Sequence, residues 1–288
     1  MKSLAAAVAG RRIVVTGASS GIGRSLALRL GNNDCHLILV ARREAQLREV
    51  ATAIARRGGS ASVYRGDLAS ADDAQNVASS ILRDHGGVDV LINNAGRSIR
   101  RTVADSYDRL HDFERTMQIN YFGALALALA FLPGMRRRGG GHIVNISSMA
   151  TQNATPPFAA YNASKAALDA WSRTVGAELA HDGIAITTVY MPLVDTAMSS
   201  ATNAYAHARM LNTDQATEIV CRALITQAAR IAHPVGTVGE IFAAVSPGAH
   251  RHITGFALRH LPGFETLWRR RKHHRARRPT ELEHRPRP

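Results

Sequence analysis

Two side chains that could share a proton lie four residues apart in the segment Tyr161-Asn162-Ala163-Ser164-Lys165. On a helix, residues at this spacing lie on the same face. A phenol normally loses its proton at about pH 10, and a nearby ammonium lowers the pKa of the phenol. Such a tyrosine can exchange a proton with a substrate oxygen near neutral pH. Taken alone, a pair of this spacing is more commonly an exposed pair on a helix. Other residues of the chain are needed to distinguish a catalytic pair from a surface pair.

Two further polar side chains could complete such a site. Ser148 lies thirteen residues before Tyr161, where a strand is predicted to end, and its hydroxyl could hold a substrate carbonyl. Asn120 lies in an apolar stretch of a predicted helix, where a buried amide needs hydrogen-bond partners. Its side chain could tie backbone segments together, or it could hold a water that passes protons to Lys165.

A glycine-rich segment follows the first predicted strand and reads Thr16-Gly17-Ala18-Ser19-Ser20-Gly21-Ile22-Gly23. Its three glycines allow the backbone to approach a pyrophosphate, and the helix that follows offers free N–H groups and the positive end of its dipole. Its place between a strand and a helix favours this interpretation over an ordinary turn. We therefore expect these residues to contact a dinucleotide: Gly17, Ser19, Ser20, Gly21, Ile22 and Gly23.

The second predicted strand ends in Val40-Ala41-Arg42-Arg43, without an acidic residue. A carboxylate at this place takes the ribose hydroxyls of NAD. A guanidinium instead pairs with a phosphate through two parallel hydrogen bonds, so Arg42 indicates the 2′-phosphate of NADP(H). Arg43 and Arg24 could assist, although arginines here could also simply begin a solvated helix.

Residues after the third and fourth predicted strands could hold the rest of the dinucleotide. Asp67 could accept a hydrogen bond from the adenine amino group, with Leu68 beside it. Asn94-Ala95-Gly96 follows the fourth strand at the carboxyl edge, where ligands bind in open α/β sheets. Asn94 could support that edge, and Gly96 could let the cofactor ribose pass closely.

Apolar strand-like runs alternate with helical patterns over most of the chain. Uninterrupted apolar runs such as Leu37-Ile38-Leu39-Val40 are typical of a parallel sheet that is buried on both faces. The pattern predicts an α/β fold, a Rossmann-type doubly wound parallel sheet in a single domain with apolar C-terminal helices. We expect strands at 12–16, 36–40, 62–65, 88–93, 142–147, 185–190 and 230–233, and helices at 21–31, 44–57, 71–85, 113–137, 158–181 and 213–227. The domain is expected to span 1–258, with a substrate lid at about 192–212 and a basic tail at 259–288.

Composition limits the class of protein. The 288 residues are 45% hydrophobic, which suffices for one α/β domain with a substantial core. Two cysteines provide neither a disulfide framework nor a metal-ligand cluster, which favours a reducing, cytoplasmic compartment. The N-terminal apolar run is too short for a signal peptide. The apolar stretch 121–135 is shorter than the roughly 20 residues that span a bilayer, so it predicts a buried helix.

Positive charge is concentrated at the C-terminal end. Residues 259–288 hold ten Lys/Arg and three Glu, so about a tenth of the chain carries half of the net charge of +14. A flexible, solubilising tail is the first interpretation. Because apolar residues accompany the charge, peripheral contact between residues 256–278 and an anionic membrane is the alternative. No nucleic acid partner is expected.

With these residues assembled, the chain resembles the short-chain dehydrogenase/reductase family. Five motifs stand in the family's order and spacing over about residues 12–196: TGASSGIG, NNAG, the helix asparagine, ISS and YNASK. The resemblance implies that Ser148, Tyr161 and Lys165 form the catalytic trio and that Asn120 is a relay residue. It also places Asp67 at the adenine and Asn94, Ala95 and Gly96 near the cofactor.

Two departures from the family pattern fall in the C-terminal part. Leu193 stands where the family has a glycine, while Thr196 keeps the position expected near the nicotinamide carboxamide. The usual glycine-rich ending is also missing. This part is instead similar to the reductase domains of bacterial fatty acyl-CoA and fatty aldehyde reductases. That similarity implies a long apolar substrate, and it leaves open whether the chain forms the family's usual homo-oligomer.

The sequence therefore predicts an NADP(H)-dependent oxidoreductase that reduces a carbonyl, or oxidises the alcohol, of a lipid-like substrate such as a fatty aldehyde or fatty acyl thioester. Residues 193–268 are rich in apolar residues and are expected to line the substrate side, although they could equally be core helices. A sterol, a small ketone or a 3-oxoacyl compound is the alternative substrate. A protein that only senses NADP or acts as a scaffold would not need Tyr161 and Lys165 together.

Overall fold

A single parallel sheet organises the chain. The computed structural model describes residues 3–200 and 210–260. Within these ranges seven strands pair in the order β3-β2-β1-β4-β5-β6-β7, and every pairing is parallel. The strands are β1 (Arg11–Thr16), β2 (Cys35–Ala41), β3 (Ser60–Arg65), β4 (Val90–Asn93), β5 (Gly141–Ser148), β6 (Ile184–Met191) and β7 (Arg230–Ala232). The doubly wound Rossmann-type fold that the sequence predicts is confirmed.

Helices connect the strands and cover both faces of the sheet. In chain order they are α1 (Leu4–Val8), α2 (Gly21–Leu30), α3 (Glu44–Ala55), α4 (Ala71–His85), α5 (Leu110–Met117), α6 (Gly123–Arg137), α7 (Met149–Gln152), α8 (Ala159–Glu178), α9 (Ala197–Ser200), α10 (Thr213–Thr226), α11 (Pro234–Val245) and α12 (Pro247–His260). Strand β1 lies between β2 and β4, so the order of strands reverses at this place. Doubly wound sheets bind their ligands in the crevice beyond the carboxyl ends of the strands at such a reversal.

Alternate residues of the central strands enter two separate cores. Ile13 and Val15 of β1 pack with side chains of α2, α3 and α10, whereas Val14 packs with side chains of α4 and α6 on the opposite face. All three are fully buried. Burial on both faces explains why these strands are apolar throughout instead of alternating with polar residues.

The long helix before β5 differs from the expected regular α-helix. It begins at Leu110 and is divided by a π-helical turn at Gln118–Phe122, where the Gly123 N–H bonds to the Gln118 carbonyl. The turn is one residue wider than an α-helical turn and contains Asn120. The long helix predicted at 113–137 is therefore present but begins three residues earlier and contains a π-turn, because apolar periodicity does not resolve one extra residue.

Helix Leu110–Arg137 is also the one helix, in the part of the chain that the structure describes, that is long and apolar enough to cross a bilayer. Its residues Leu127, Ala128 and Phe131 are fully buried and pack in the core that contains α4. A core helix passes the same test of length and composition, and this packing agrees with the predicted buried helix at 121–135.

The C-terminal part is described in pieces. Helix α9 follows β6, and residues 201–209, which belong to the predicted lid, lie outside the described residues. The basic tail lies outside them from residue 261 onward. Helices α11 and α12 follow one another, and α11 contacts α7 at the carboxyl edge of the sheet. The boundary at residue 258 stays a prediction, and α12 itself continues to residue 260.

Candidate active site

The carboxyl ends of the central strands open into a cleft of about 670 Å³. The predicted site residues that line it are Gly17, Ser19, Ser20, Ile22, Arg42, Asp67, Leu68, Asn94, Ala95, Gly96, Ser148, Tyr161, Lys165 and Thr196. Three other predicted site residues, Gly21, Gly23 and Asn120, do not belong to this lining. The structure thus brings residues from seven separate segments of the chain to one edge of the sheet.

Lys165 is a buried cation at the floor of the cleft. Its side chain comes from α8, the residue is 4% exposed, and Nζ donates a hydrogen bond to the Ile146 carbonyl of β5 at 2.7 Å. Burial lowers the pKa of the ammonium to about 8, because the charged form loses its hydration. Lys165 still carries its proton at neutral pH, and an ammonium has two more N–H donors for groups in the cleft.

Tyr161 and Ser148 complete the polar end of the cleft. Tyr161 lies one helical turn before Lys165 on α8, as the spacing in the sequence predicts. Ser148 ends β5, and its Oγ accepts a hydrogen bond from the Ala150 N–H at 3.1 Å, which caps α7. Because Oγ accepts this bond, its own O–H remains able to donate to a ligand oxygen.

The Asn120 side chain joins two segments that border the cleft. Its Oδ1 accepts from the Arg97 N–H at 2.8 Å, while Nδ2 donates to the Arg97 carbonyl and to Ser164 Oγ, each at 2.9 Å. Ser164 Oγ in turn donates to the Tyr161 carbonyl at 2.7 Å. These bonds link the loop after β4 to the helix that carries Tyr161. They agree with the backbone-tying interpretation, and the relay of protons to Lys165 stays a prediction.

Glycine is required where the turn after β1 meets the end of β4. Gly17 has a φ of +68°, which favours glycine, and a Cβ there would lie 2.9 Å from Asn94 Nδ2. At Gly23 a Cβ would lie 2.6 Å from the same Nδ2 and would also overlap the Gly17 carbonyl. Asn94 Nδ2 itself donates to the Thr16 carbonyl at 2.9 Å. The backbone of this turn is therefore close-packed behind the cleft, in the position where it would cradle a pyrophosphate.

A dinucleotide fits these residues. Gly96 leaves the space in front of Asn120 and Lys165 open, since a Cβ there would lie 2.9 Å from Asn120 Oδ1 and 3.5 Å from Lys165 Nζ. The N-terminus of α2 follows the turn, and Thr196 lies beside its first residue, since a Cβ on Gly21 would lie 3.3 Å from Thr196 Cγ2. The buried ammonium supplies donors that ribose hydroxyls could accept.

Arg42 and Arg43 take different positions beside the cleft. Arg42 Nη1 lies 3.6 Å from Asp67 Oδ2, and both residues line the cleft. Arg43 Nη2 donates to Ser20 Oγ at 2.9 Å and to Ser19 Oγ at 3.3 Å. Its guanidinium therefore faces the glycine-rich turn at 17–23, which we call the phosphate cradle. The sequence pattern does not distinguish Arg43 from Arg24, whereas in the structure Arg24 is exposed and does not line the cleft.

Two residues that sequence reasoning did not single out organise the site. Thr16 Oγ1 accepts hydrogen bonds from the Asn94 and Ala95 N–H groups, each at 2.9 Å, and donates to the Ile92 carbonyl at 3.2 Å. It therefore fixes the loops on both sides of the reversal between β1 and β4. Ser164 joins Asn120 to α8, the helix that carries Tyr161 and Lys165. Thr16 belongs to the TGASSGIG motif and Ser164 to the YNASK motif, so their places in these motifs could have indicated a role in the site.

Much of the remaining wall of the cleft is apolar, although Arg97 and Arg100 also line it. Its large apolar side chains are Ile119, Met149, Phe158, Met191, Leu193, Val194 and Met198. Of the stretch 193–268, which the sequence assigned to the substrate side, the described residues that reach the cleft are Leu193, Val194, Thr196, Ala197, Met198 and Ser199. Helices α11 and α12 do not contribute to its lining.

Comparisons with known proteins agree with this architecture. A family model described as short chain dehydrogenase matches residues 11–207. An uncharacterized oxidoreductase of Mycobacterium tuberculosis is 46% identical over 249 residues, covering 85% of this chain and 73% of that protein. A fatty acyl-CoA reductase of Acinetobacter baylyi is 43% identical over 255 residues, covering 88% of this chain and 86% of that protein. The crystal structure of a metagenomic short-chain oxidoreductase in complex with NADP has a TM-score of 0.67 at 30% identity, covering 79% of this chain and 98% of that one.

The substitution Gly23→Ala tests the close packing behind the cradle. The added Cβ meets Asn94 Nδ2 and the Gly17 carbonyl, so the turn has to move. We expect a loss of about 1–3 kcal/mol in the free energy of unfolding, measured in urea, together with weaker dinucleotide binding. Gly255→Ala is the matched control, because a Cβ there meets nothing within 4 Å. Equal effects of the two substitutions would contradict the packing argument.

Proposed function

The chain belongs to the short-chain dehydrogenase/reductase family of oxidoreductases, and on this basis we propose that it uses NADP(H) to reduce the carbonyl of a long apolar substrate, a fatty aldehyde or a fatty acyl thioester. The observation that carries the proposal is the meeting of Ser148, Tyr161 and Lys165 in a cleft with a phosphate cradle at one end and apolar walls beside them. For the aldehyde, the reverse reaction is oxidation of the alcohol and uses the same groups. For the thioester, addition of hydride and a proton gives a hemithioacetal, and cleavage of its C–S bond releases the thiol and leaves the aldehyde.

Each polar residue of the cleft has a separate task in this reaction. The nicotinamide cofactor supplies the hydride when it is bound. Ser148 donates a hydrogen bond to the substrate carbonyl oxygen, and Tyr161 gives that oxygen its proton. The Lys165 ammonium stabilises the phenolate that remains and donates to the cofactor ribose. Positioned proton donation of this kind accelerates a reaction by about 10²–10⁴-fold.

Two arginines support NADP(H) as the cofactor. Arg42 lies at the end of β2, where the adenosine ribose of a dinucleotide would lie, and its fork of donors suits the 2′-phosphate. Arg43 lies on Ser19 and Ser20 and adds a second positive charge beside the cradle. The NADP complex of the similar metagenomic oxidoreductase is consistent with this choice.

The apolar wall supports the substrate class. Met149, Phe158, Leu193 and Met198 line the cleft beside the polar trio, and burial of an alkyl chain against such side chains is favourable. The similarity to a fatty acyl-CoA reductase over most of both chains points the same way. Arg97 and Arg100 also line the cleft and could pair with the phosphates of a thioester carrier. A cytoplasmic location and a homo-oligomer stay predictions.

Tyr161→Phe tests the role of the proton donor. Removal of the phenol oxygen should lower kcat for carbonyl reduction by at least about 100-fold, because the substrate oxygen loses its acid. Binding of NADPH, followed by its fluorescence, should remain close to that of the wild type. Tyr107→Phe is the control, because Tyr107 is exposed and lies outside the cleft lining. Substantial residual turnover in the first variant would refute the assignment.

Arg42→Ala tests the choice of cofactor. The variant loses a charged hydrogen bond to the 2′-phosphate and leaves the Asp67 carboxylate unpaired at the same place. The ratio of kcat/KM for NADPH over NADH should fall by about tenfold or more. Arg24→Ala removes the same charge outside the cleft lining and should leave the ratio unchanged. A wild-type enzyme that uses NADH as well as NADPH would refute the role of Arg42.

A substrate series tests the apolar wall. We expect NADPH oxidation with fatty aldehydes or fatty acyl-CoA thioesters, with kcat/KM rising by about fourfold for each methylene that becomes buried. Short ketones and a sterol serve as the comparison set. A preference for a short ketone or a sterol would exclude the fatty substrate while leaving the reaction class in place. No NADPH oxidation with any of them would favour a sensing or scaffold role.

A further inference from the structure

Helix α11 directs its large apolar side chains toward solvent. Val238 is 66% exposed, Ile241 58% and Val245 79%, and Val235 lies on the same side three residues earlier. A surface helix of a globular protein normally turns this kind of stripe toward the core. The outward stripe of α11 is therefore the reverse of the usual arrangement.

The inner face of α11 explains why the helix cannot rotate to bury that stripe. It presents Gly236, whose missing Cβ would overlap Gln152 Oε1 and would lie 2.8 Å from Met149 Cγ of α7. Glu240 also points inward, where it pairs with Arg230 of β7 and accepts a hydrogen bond from Gln152 Nε2 at 2.9 Å. A small-residue contact at Gly236 and a partly exposed ion pair between Glu240 and Arg230 thus hold the large apolar residues outside.

Helix α12, which contacts α11, adds further exposed apolar residues and positive charge. Ile253 is 59% exposed and Phe256 65% exposed. No Asp or Glu occurs from residue 241 to residue 264, whereas Arg251 and three histidines lie on α12. The ten Lys/Arg and three Glu of residues 259–288 then follow directly. We call the exposed apolar residues of the two helices the α11–α12 surface: Val235, Val238, Ile241, Val245, Ile253 and Phe256.

We propose that the α11–α12 surface docks the protein onto an anionic lipid bilayer. An exposed group of large apolar side chains beside clustered basic residues has the composition of an interfacial binding surface. The apolar residues enter the boundary between headgroups and acyl chains, and the basic residues attract the negative headgroups. The positive charge of this region is complementary to the negative charge of such a membrane. A partner that is only apolar would leave this charge without a counterpart.

Two other occupants fit the charges less well. A second copy of this chain on the same surface would bring two strongly basic C-terminal ends together, and like charges repel. Residues 261–288 of the same chain carry nine of those ten Lys/Arg, so covering the stripe with them would bring their positive charge beside Arg251 of α12. An anionic bilayer can both bury the apolar stripe and attract the positive charge.

Docking would bring the lipid phase close to the cleft. The inner face of α11 lies against Met149, and Met149 also lines the cleft, so α11 and this one side chain stand between the α11–α12 surface and the proposed substrate path. This consequence for substrate delivery rests on the proposed function. The docking itself does not, because it depends on exposed side chains and charge alone.

Vesicle binding by the full chain tests the proposal. Cosedimentation is measured with vesicles of phosphatidylcholine and phosphatidylglycerol, and with phosphatidylcholine alone. The test variant is Val238→Ser, Ile241→Ser and Val245→Ser combined, and the matched control is Val103→Ser, Tyr107→Ser and Leu110→Ser, since these residues are equally exposed on another part of the chain. Thermal unfolding by circular dichroism checks that both variants remain folded.

We expect the wild type and the control to bind the anionic vesicles, and the test variant to bind at least tenfold more weakly. Absence of wild-type binding, or equal binding by the test variant, would overturn the proposal. A wild-type dimer in light scattering that the test variant dissociates would assign the surface to a second copy instead. Stronger binding after deletion of residues 261–288 would show that the chain's own tail covers it. Turnover is not measured, so failure here is distinct from failure of the proposed reaction.

Discussion

The site depends on the burial of one ammonium group. Removing an unpaired charge from water costs several kcal/mol in a protein interior, so Lys165 can stay protonated only where oxygen atoms receive its N–H groups. The Ile146 carbonyl of β5 is one such acceptor. The lowered pKa of about 8 records how much of the hydration energy remains uncompensated. A ligand that brings hydroxyl oxygens to the cleft would therefore stabilise the protein as well as react in it.

Burial of Lys165 also requires that α8 stay in register with β5. A chain of buried side-chain hydrogen bonds meets this requirement: Asn93 Nδ2 donates to Asn145 Oδ1, and Asn145 Nδ2 donates to Ser172 Oγ, both at 2.8 Å. These residues belong to β4, β5 and α8 in turn. Buried polar groups of this kind are costly when unpaired, so the pairing favours one relative position of sheet and helix. Tyr161 and Lys165 take their positions from that helix.

Local patterns predicted the parts of the site that lie within one segment. Glycine spacing after β1 and the Tyr161–Lys165 spacing on α8 both follow from short-range backbone geometry, and both appear as expected. The π-turn at Asn120 was not predicted, because the residues that Asn120 contacts, Arg97 and Ser164, are distant from it in sequence. The orientation of α11 was equally hidden. Almost every residue of that helix is apolar or small, so periodicity identifies no inner face, and the choice falls to the ion pair between Glu240 and Arg230.

Helix α7 lies between the cleft and helix α11. Ser148 caps its first turn, so the hydroxyl that would hold the substrate oxygen depends on where α7 lies. Gln152, at its other end, is hydrogen-bonded to Glu240 of α11. A four-residue helix has little stability of its own, and these two attachments add to its packing against α8, β5 and β6. The hydroxyl of Ser148 and the inner face of α11 therefore share one short helix as their common support.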